Sequence, residues 1–392
     1  MTPPPPASAA PTDGPAPLRA VFLWSEINGY MAACFRELAG RADVDPYFLA
    51  FASGRSGSGA AFADDVVAGL PCRLLEPGER DDAALVRRLV EERRPDVVVL
   101  NGWYHRPYRR LPFGEPLRNS EHGGPPGFMM TFDTPWRGDL RQRLARFPLA
   151  SLLNRCAITV VTGERSWQYG KRLGIPEARL RRGMYGVAHA GLTECLRRRE
   201  DGPWPRRFLF VGRYADEKGL DVLAEAYARY REGVNRDSAN GSGAGEPWTL
   251  ECCGTGPRGG LIAGREGIED RGFVQPSALR ERFAAAGALV LPSRFDPWPL
   301  ALVESAAAGL PILCTEACGS SVELVRPYYN GLAVATDDVA ALARGLRFLH
   351  DRHADLPEYG RRSHALAAAY SAQIWADRYT AYLTEARRAA DA

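Results

Sequence analysis

The sequence predicts an α/β protein built as two doubly wound domains, and three observations carry that expectation. A chain of 392 residues exceeds one ordinary hydrophobic core and suits two domains of about 150 to 200 residues each. Short unbroken apolar runs at 97–100 and 288–291 have the character of strands buried on both faces of a parallel sheet. Such runs alternate with helical periodicity along most of the chain, which implies βαβ units.

Composition narrows the class. Hydrophobic residues make up 45% and charged residues 25%, and no apolar run reaches the roughly 18 residues of a membrane span. Residues 1–17, rich in Pro and Ala, lack the basic start and apolar centre of a signal peptide and are expected to be a disordered tail. Eight cysteines in a chain of this size do not make a disulfide framework. They read as buried thiols in a reducing cytoplasm. A net charge of +3 gives no reason to expect nucleic acid.

Taken in order, 19–24 reads as the first strand, and Asn28-Gly29 opens a helix through residue 38. Strands follow at 47–51, 97–100, 128–132 and 158–161, helices at 81–93, 140–156 and 165–173, and a Gly/Ser loop at 54–59. Residues 179–193 lose clear periodicity, and Gly202-Pro203-Trp204-Pro205 is a strong breaker. The first domain is therefore assigned to 18–192 and a linker to 193–206. The second domain, 207–372, has strands at 208–211, 248–252, 288–291, 311–314 and 332–335. Its helices are placed at 220–230, 278–286, 300–308 and 339–349, with a mobile surface loop at 235–245. In the final segment, 373–392, Trp375, Tyr379, Tyr382 and Leu383 recur at helical spacing.

The stretch 292–311 holds the clearest chemical signal. It reads as strand end, the loop Asp296-Pro297-Trp298-Pro299, a helix, and a turn at Gly309. First-turn N–H groups have no intrahelical partner, so the amides of Leu300 and Ala301 can face an anion. Glu304 lies about one turn further along, where its carboxylate would repel a phosphate but suit the vicinal hydroxyls of a ribose or sugar ring. An equally good reading of this stretch alone has Asp296 as a simple N-cap with Pro297 in the first turn.

A second signal follows the strand at 208–211. Gly212-Arg213 and Lys218-Gly219 lie at its carboxyl end, where open α/β sheets bind ligands. Of the 50 Lys+Arg only Lys171 and Lys218 are lysines. A lysine retained against that background points to a compact ammonium, as when a point charge meets a diphosphate oxygen, although one of two can arise by chance. Gly254-Thr255-Gly256-Pro257-Arg258-Gly259, with Asp270 beyond it, fits a dinucleotide template. The nicotinamide oxidoreductase reading rests on it alone and is set aside, because this is not the first βα unit and Pro257 and Gly260 start a helix poorly.

A loop acid, seven intervening residues and a helical Glu before Gly-x-Pro, preceded by the Gly212 to Gly219 loop, resemble the nucleotide-sugar motif of glycosyltransferase family 4. These are retaining enzymes of the GT-B fold, in which two Rossmann-like domains face a central cleft. The resemblance is clear over 208–350 and looser over 19–187. It implies a metal-independent transferase needing no cofactor beyond its nucleotide-diphosphate sugar substrate. It assigns catalysis to Arg213, Lys218, Asp296 and Asp133, and donor binding to Gly212, Gly254, Gly256, Trp298, Pro299, Leu300, Ala301 and Glu304. In GT-B proteins the last helix packs back on the first domain.

The chain departs from the family in three places. Asp296 stands where Glu is usual, Pro299 replaces a common Gly, and Phe132-Asp133 replaces His-Asp. His105 is the imidazole that could enter the cleft instead, and Gly29 lies on the acceptor side. Asp133 either positions a hydroxyl or forms an Asx turn before Thr134-Pro135. These departures keep a second reading open, a catalytically weakened nucleotide-sugar binding protein. The acceptor would be a small molecule, a glycan or a lipid-linked group. Arg106, Arg109, Arg110, Arg137, Arg141, Arg143 and Arg146 make the first domain locally basic. Solvated faces are the first explanation, and an anionic acceptor or a peripheral contact with a bilayer the second.

Overall fold

The computed structural model describes residues 16–52, 64–117, 124–241 and 245–391. The expected loop at 54–59 and all but the end of the expected tail therefore lie outside the described residues.

Two separate parallel sheets form the frame. The first has seven strands: β1 Leu18–Leu23, β2 Val44–Phe51, β3 Cys72–Leu75, β4 Val97–Asn101, β5 Gly127–Phe132, β6 Ile158–Val161 and β7 Leu180–Arg182. Their order is β3-β2-β1-β4-β5-β6-β7. The second has six: β8 Arg207–Val211, β9 Thr249–Cys253, β10 Ile268–Asp270, β11 Ala288–Leu291, β12 Ile312–Thr315 and β13 Gly331–Val334, in the order β10-β9-β8-β11-β12-β13. The central strands carry the unbroken apolar runs, as in β11, where all residues are buried. In each sheet the first strand in sequence lies between the second and a later one, so strand order reverses at β1 and at β8. Such a reversal leaves a crevice at the carboxyl ends of the strands.

Helices cover the sheets. In the first half they are α1 Gly29–Ala39, α2 Pro77–Arg80, α3 Ala83–Glu92, α4 Arg106–Arg110, α5 Leu140–Leu144, α6 Arg146–Asn154 and α7 Glu164–Arg172. In the second half they are α8 His189–Glu200, α9 Leu220–Ala239, α10 Pro276–Ala285, α11 Leu300–Ala307, α12 Ser321–Leu324, α13 Val339–Asp351, α14 Leu356–Ala367 and α15 Ala372–Asp391. Several start on a side-chain cap: Asn28 accepts from Met31 N, and Asp338 accepts from Ala341 N at 2.8 Å. No described helix is long and apolar enough to cross a membrane.

The structure corrects several boundaries. Residues 193–200, expected as linker, belong to α8, whose Leu192, Cys195 and Leu196 join the core of the second domain. Buried Arg199 ties that helix to α10 and to the end of α11 by donating to the carbonyls of Phe283 and Ala308. The first five residues of the expected mobile loop at 235–245 instead complete α9, which runs to Ala239; residues 242–244 lie outside the description. The helical stretch at 140–156 divides at Ala145 into α5 and α6. The edge strands β3, β7 and β10 went unread because they are short and half-exposed, and β7 and β10 are mostly charged.

The chain passes between domains at two adjacent points. Val187 N donates to Tyr370 O and Ala372 N donates to Val187 O, both at 2.8 Å. Beyond the second crossing, α15 buries Trp375, Tyr379 and Leu383 against Phe22, Phe35 and Phe48 of the first domain. The Trp375 indole N–H donates to Met184 O at 2.9 Å, which satisfies its one polar atom.

Candidate active site

The loops following β8, β9 and β11 converge because these three strands are neighbours at the reversal point. The first of them turns back sharply at Gly219, with φ of 66°. A Cβ there would sit 2.2 Å from Pro292 O, so only glycine fits both the left-handed backbone and the contact. Arg294 then fastens this loop to the one after β11. Its guanidinium donates to Asp216 O at 2.9 Å and to both carboxylate oxygens of Asp221 at 2.9 and 2.7 Å. Backbone N–H groups of Arg294 and Phe295 donate to Glu217 O. Lys218 and Asp296 are thereby held together, with Nζ 2.5 Å from Oδ2.

Asp296 does not cap the following helix. Pro299 occupies the N-cap position without a side-chain hydrogen bond, α11 begins at Leu300, and the Asp296 carboxylate is taken by Lys218. Its backbone is pinned as well, with N donating to Ala317 O and O accepting from Gly319 N. Burial raises the Asp296 pKa above the ordinary value, and Lys218 pulls against that rise. Arg213 is more exposed and pairs with Glu217 at 2.6 Å.

A cavity of about 230 Å³ lies between the domains. Gly212, Arg213, Gly254, Leu300 and Glu304 line it from the second domain, and Gly29 and Tyr30 from the first. Gly254 permits the closeness of two loops, since a Cβ there would lie 1.8 Å from Gly212 O. Gly256 packs against the Tyr214 backbone rather than the cavity, and the loop continues into a 3-10 turn at Gly259–Leu261. No α-helix follows to receive a dinucleotide pyrophosphate. Asp270 is occupied by the Tyr214 hydroxyl at 2.7 Å. Half-buried Glu304 has its pKa pushed up to about 7 by burial, with Arg280 opposing.

Asp133 follows the end of β5, within electrostatic reach of Asp296. Its carboxylate accepts from the Tyr185 hydroxyl at 3.2 Å, and burial raises its pKa, opposed by Tyr185 and assisted by the negative charge of Asp296. Tyr185 in turn meets Tyr30 edge to face at 5.6 Å. Phe132 points away into the first domain, packed on Trp103 and Tyr169.

Besides Gly256, two more expected site residues lie elsewhere. His105 does not enter the cleft; it packs between Phe51 and Tyr108, 3.7 Å from Asp81, and burial lowers its pKa. Trp298 is buried beside Tyr370, and a Cβ on Gly163 of the first domain would lie 2.5 Å from its ring. Next to it, Glu323 accepts the Glu164 N–H at 2.6 Å, so a carboxylate of the second domain caps a helix of the first. Tyr185, Arg294 and Glu217 were not singled out from the sequence. Tyr185 lies where periodicity fades, and Arg294 is one arginine among many.

Fold and cleft together define the class: two Rossmann-like domains with a candidate anion site at the strand-order reversal of the second. Comparison with known proteins identifies the fold as GT-B. A solved glycosyltransferase from Rickettsia africae superposes with a TM-score of 0.69 at 13% identity, covering 94% of this chain and 98% of that one. Anabaena HepE in complex with UDP and glucose gives 0.66 at 13% identity, covering 94% and 99%. Residues 205–352 match the family model described as Glycosyl transferases group 1. D-inositol 3-phosphate glycosyltransferase of Streptomyces griseus is 34% identical over 209 residues, 47% of this chain and 41% of that protein. Glycogen synthase of Mycobacterium tuberculosis is 31% identical over 169 residues, 42% and 38% of the two chains. The chain thus spans less than half the length of these curated relatives.

Proposed function

We propose that this protein is a retaining glycosyltransferase of family 4 type that moves a sugar from a nucleotide-diphosphate sugar to an acceptor bound against its first domain. One observation carries the reading: the loops at the strand-order reversal bring Lys218 and Asp296 into contact within electrostatic reach of Arg213, and Arg213, Leu300 at the start of α11, and Glu304 line one cavity. The match of 205–352 to group 1 glycosyl transferases supports it.

In this reading the diphosphate lies between Lys218, Arg213 and the amides of Leu300 and Ala301, and Glu304 accepts hydroxyl hydrogens of the ribose. Lys218 exchanges Asp296 for a phosphate oxygen, which frees Asp296 to accept from a sugar hydroxyl. The bond from the anomeric carbon to the leaving diphosphate breaks while the acceptor oxygen bonds on the same face. The acceptor proton passes to the departing phosphate oxygen. Lys218 and Arg213 neutralise the charge that develops there, which assigns to side chains the role a metal ion would otherwise fill. Asp133, oriented by Tyr185, positions the acceptor hydroxyl. The eight free cysteines favour a reducing compartment and hence the cytoplasm.

A second reading, a nucleotide-sugar binding protein with weakened catalysis, is favoured by one feature. Both cations of the diphosphate loop are already paired, Lys218 with Asp296 and Arg213 with Glu217. Incubating the purified protein with a panel of nucleotide sugars, with and without candidate acceptors, separates the two. Release of nucleoside diphosphate from one donor, lost in Lys218→Ala, is expected. Binding of a nucleoside diphosphate without turnover of any donor would favour the second reading.

A further inference from the structure

The first domain carries a groove of about 690 Å³ that the donor cleft does not use. Its size falls within the range of small-molecule sites, about 300 to 1,000 Å³. Phe113, Leu149 and Leu152 form its apolar walls, and Arg109, Arg110 and Arg141 also line it, with no carboxylate in the lining. Arginines elsewhere on this protein commonly have carboxylate partners, as Arg87 has Glu91 at 2.9 Å. Arg109 donates to Trp103 O at 3.4 Å, and three guanidinium groups lining one apolar groove make it locally cationic and favour an anion there.

The groove also leads somewhere. A neighbouring cavity of about 280 Å³ shares Trp103, Arg141 and Ala145 with it and is also lined by Asp139 and by Phe295 and Pro297, the residues on either side of Asp296. Arg137 lies over the Phe295 ring at 3.4 Å and joins the two domains at that point. On α5 and α6, which carry the groove residues Arg141 and Leu149, Leu140, Leu144 and Phe147 are 70%, 52% and 64% exposed, next in sequence to Arg143 and Arg146. Large apolar side chains left in water beside cations suit a ligand that is both apolar and anionic.

We propose that the groove binds an amphiphile carrying a phosphate and a hydrocarbon chain, and that this amphiphile is the acceptor. Arg109, Arg110 and Arg141 hold the phosphate, the chain lies along Phe113, Leu144 and Leu149, and the accepting hydroxyl reaches Asp296 through the connecting cavity. The word acceptor rests on the glycosyltransferase reading; the binding does not.

The test uses the full chain with three probes below their micelle concentrations where relevant: dodecyl phosphate, inorganic phosphate and neutral dodecyl maltoside, each titrated calorimetrically. Dodecyl phosphate is expected to bind at least about tenfold more tightly than either other probe, because it engages both charge and apolar surface. Arg110→Ala with Arg141→Ala, and separately Leu144→Asp, change exposed positions. Each is expected to weaken that binding about tenfold. Equal affinity of wild type and variants, or of dodecyl phosphate and either single-feature probe, would overturn the proposal. Nucleoside diphosphate binding measured on the same samples keeps the two claims apart. Its absence in the wild type overturns the glycosyltransferase reading alone, and its presence without dodecyl phosphate binding overturns the groove alone.

Discussion

The ammonium of Lys218 and the carboxylate of Asp296 lie 2.5 Å apart, and their side chains are only 16% and 12% exposed. A pair this enclosed cannot lose one member cheaply, because the other is left as an uncompensated charge of low hydration. Asp296 is therefore expected to stabilise the unliganded protein and, in the proposed reading, to compete with a diphosphate for the same ammonium. Asp296→Asn is expected to lower the melting temperature of the unliganded protein. The stabilisation given by a nucleoside diphosphate should grow at the same time, and turnover should fall. A scanning-calorimetry series with and without nucleotide measures both effects.

In the proposed donor site, Glu304 is expected to make nucleotide binding pH-sensitive. Its folded pKa of about 7 lies above the ordinary glutamate value of 4.5, so folding favours the protonated form. The associated stability is complete below about pH 4.5 and is lost as pH rises through about 7. Binding runs the other way, because the ionised carboxylate is the better acceptor for ribose hydroxyls. Nucleoside diphosphate affinity should rise between about pH 6 and pH 8 in the wild type. Titration calorimetry should find that rise absent in Glu304→Gln.

Tyr185 acts through Asp133. The hydroxyl that donates to Asp133 at 3.2 Å favours the ionised carboxylate, opposing the burial that disfavours it. In Tyr185→Phe the Asp133 pKa rises further. Turnover should fall about tenfold, with the acid limb of the pH–rate profile displaced to higher pH. Donor affinity should stay unchanged, which distinguishes this effect from general damage to the cleft.

The Gly219 turn is where backbone geometry and chemistry meet. Gly219→Ala forces a side chain into a left-handed residue and against Pro292 O. The strained backbone alone costs about 1 to 3 kcal/mol. Denaturant unfolding should show a loss of at least that size, together with weakened nucleotide binding as Lys218 is displaced.

Much of this was legible in the sequence, for identifiable reasons. Strands such as β4 and β11 are buried on both faces and leave unbroken apolar runs, so the two-sheet plan could be read directly. Glu304 and Lys218 stand in motifs whose spacing follows from one strand, one turn and one helix. The edge strands β7 and β10 bury little and carry charge, so no run marks them. The hydrophobic pattern of α8 was hidden by three consecutive arginines, Arg197, Arg198 and Arg199, one of which is buried on carbonyl partners. His105 failed for another reason. Position after a strand fixes proximity to a cleft only if the following turn faces it, and α4 turns this residue toward Phe51 and Tyr108.

The central claim, that Lys218 and its neighbours form a diphosphate site, is tested most directly by thermal shift. Uridine, guanosine, adenosine and thymidine diphosphates would be titrated into the wild type and Lys218→Ala. Ligand that binds only the folded state stabilises it by about 2.7 kcal/mol at a hundred times its dissociation constant. At least one diphosphate is therefore expected to raise the wild-type melting temperature by several degrees, with most of that rise lost in the variant. No shift with any of the four, or an equal shift in wild type and Lys218→Ala, would contradict the assignment.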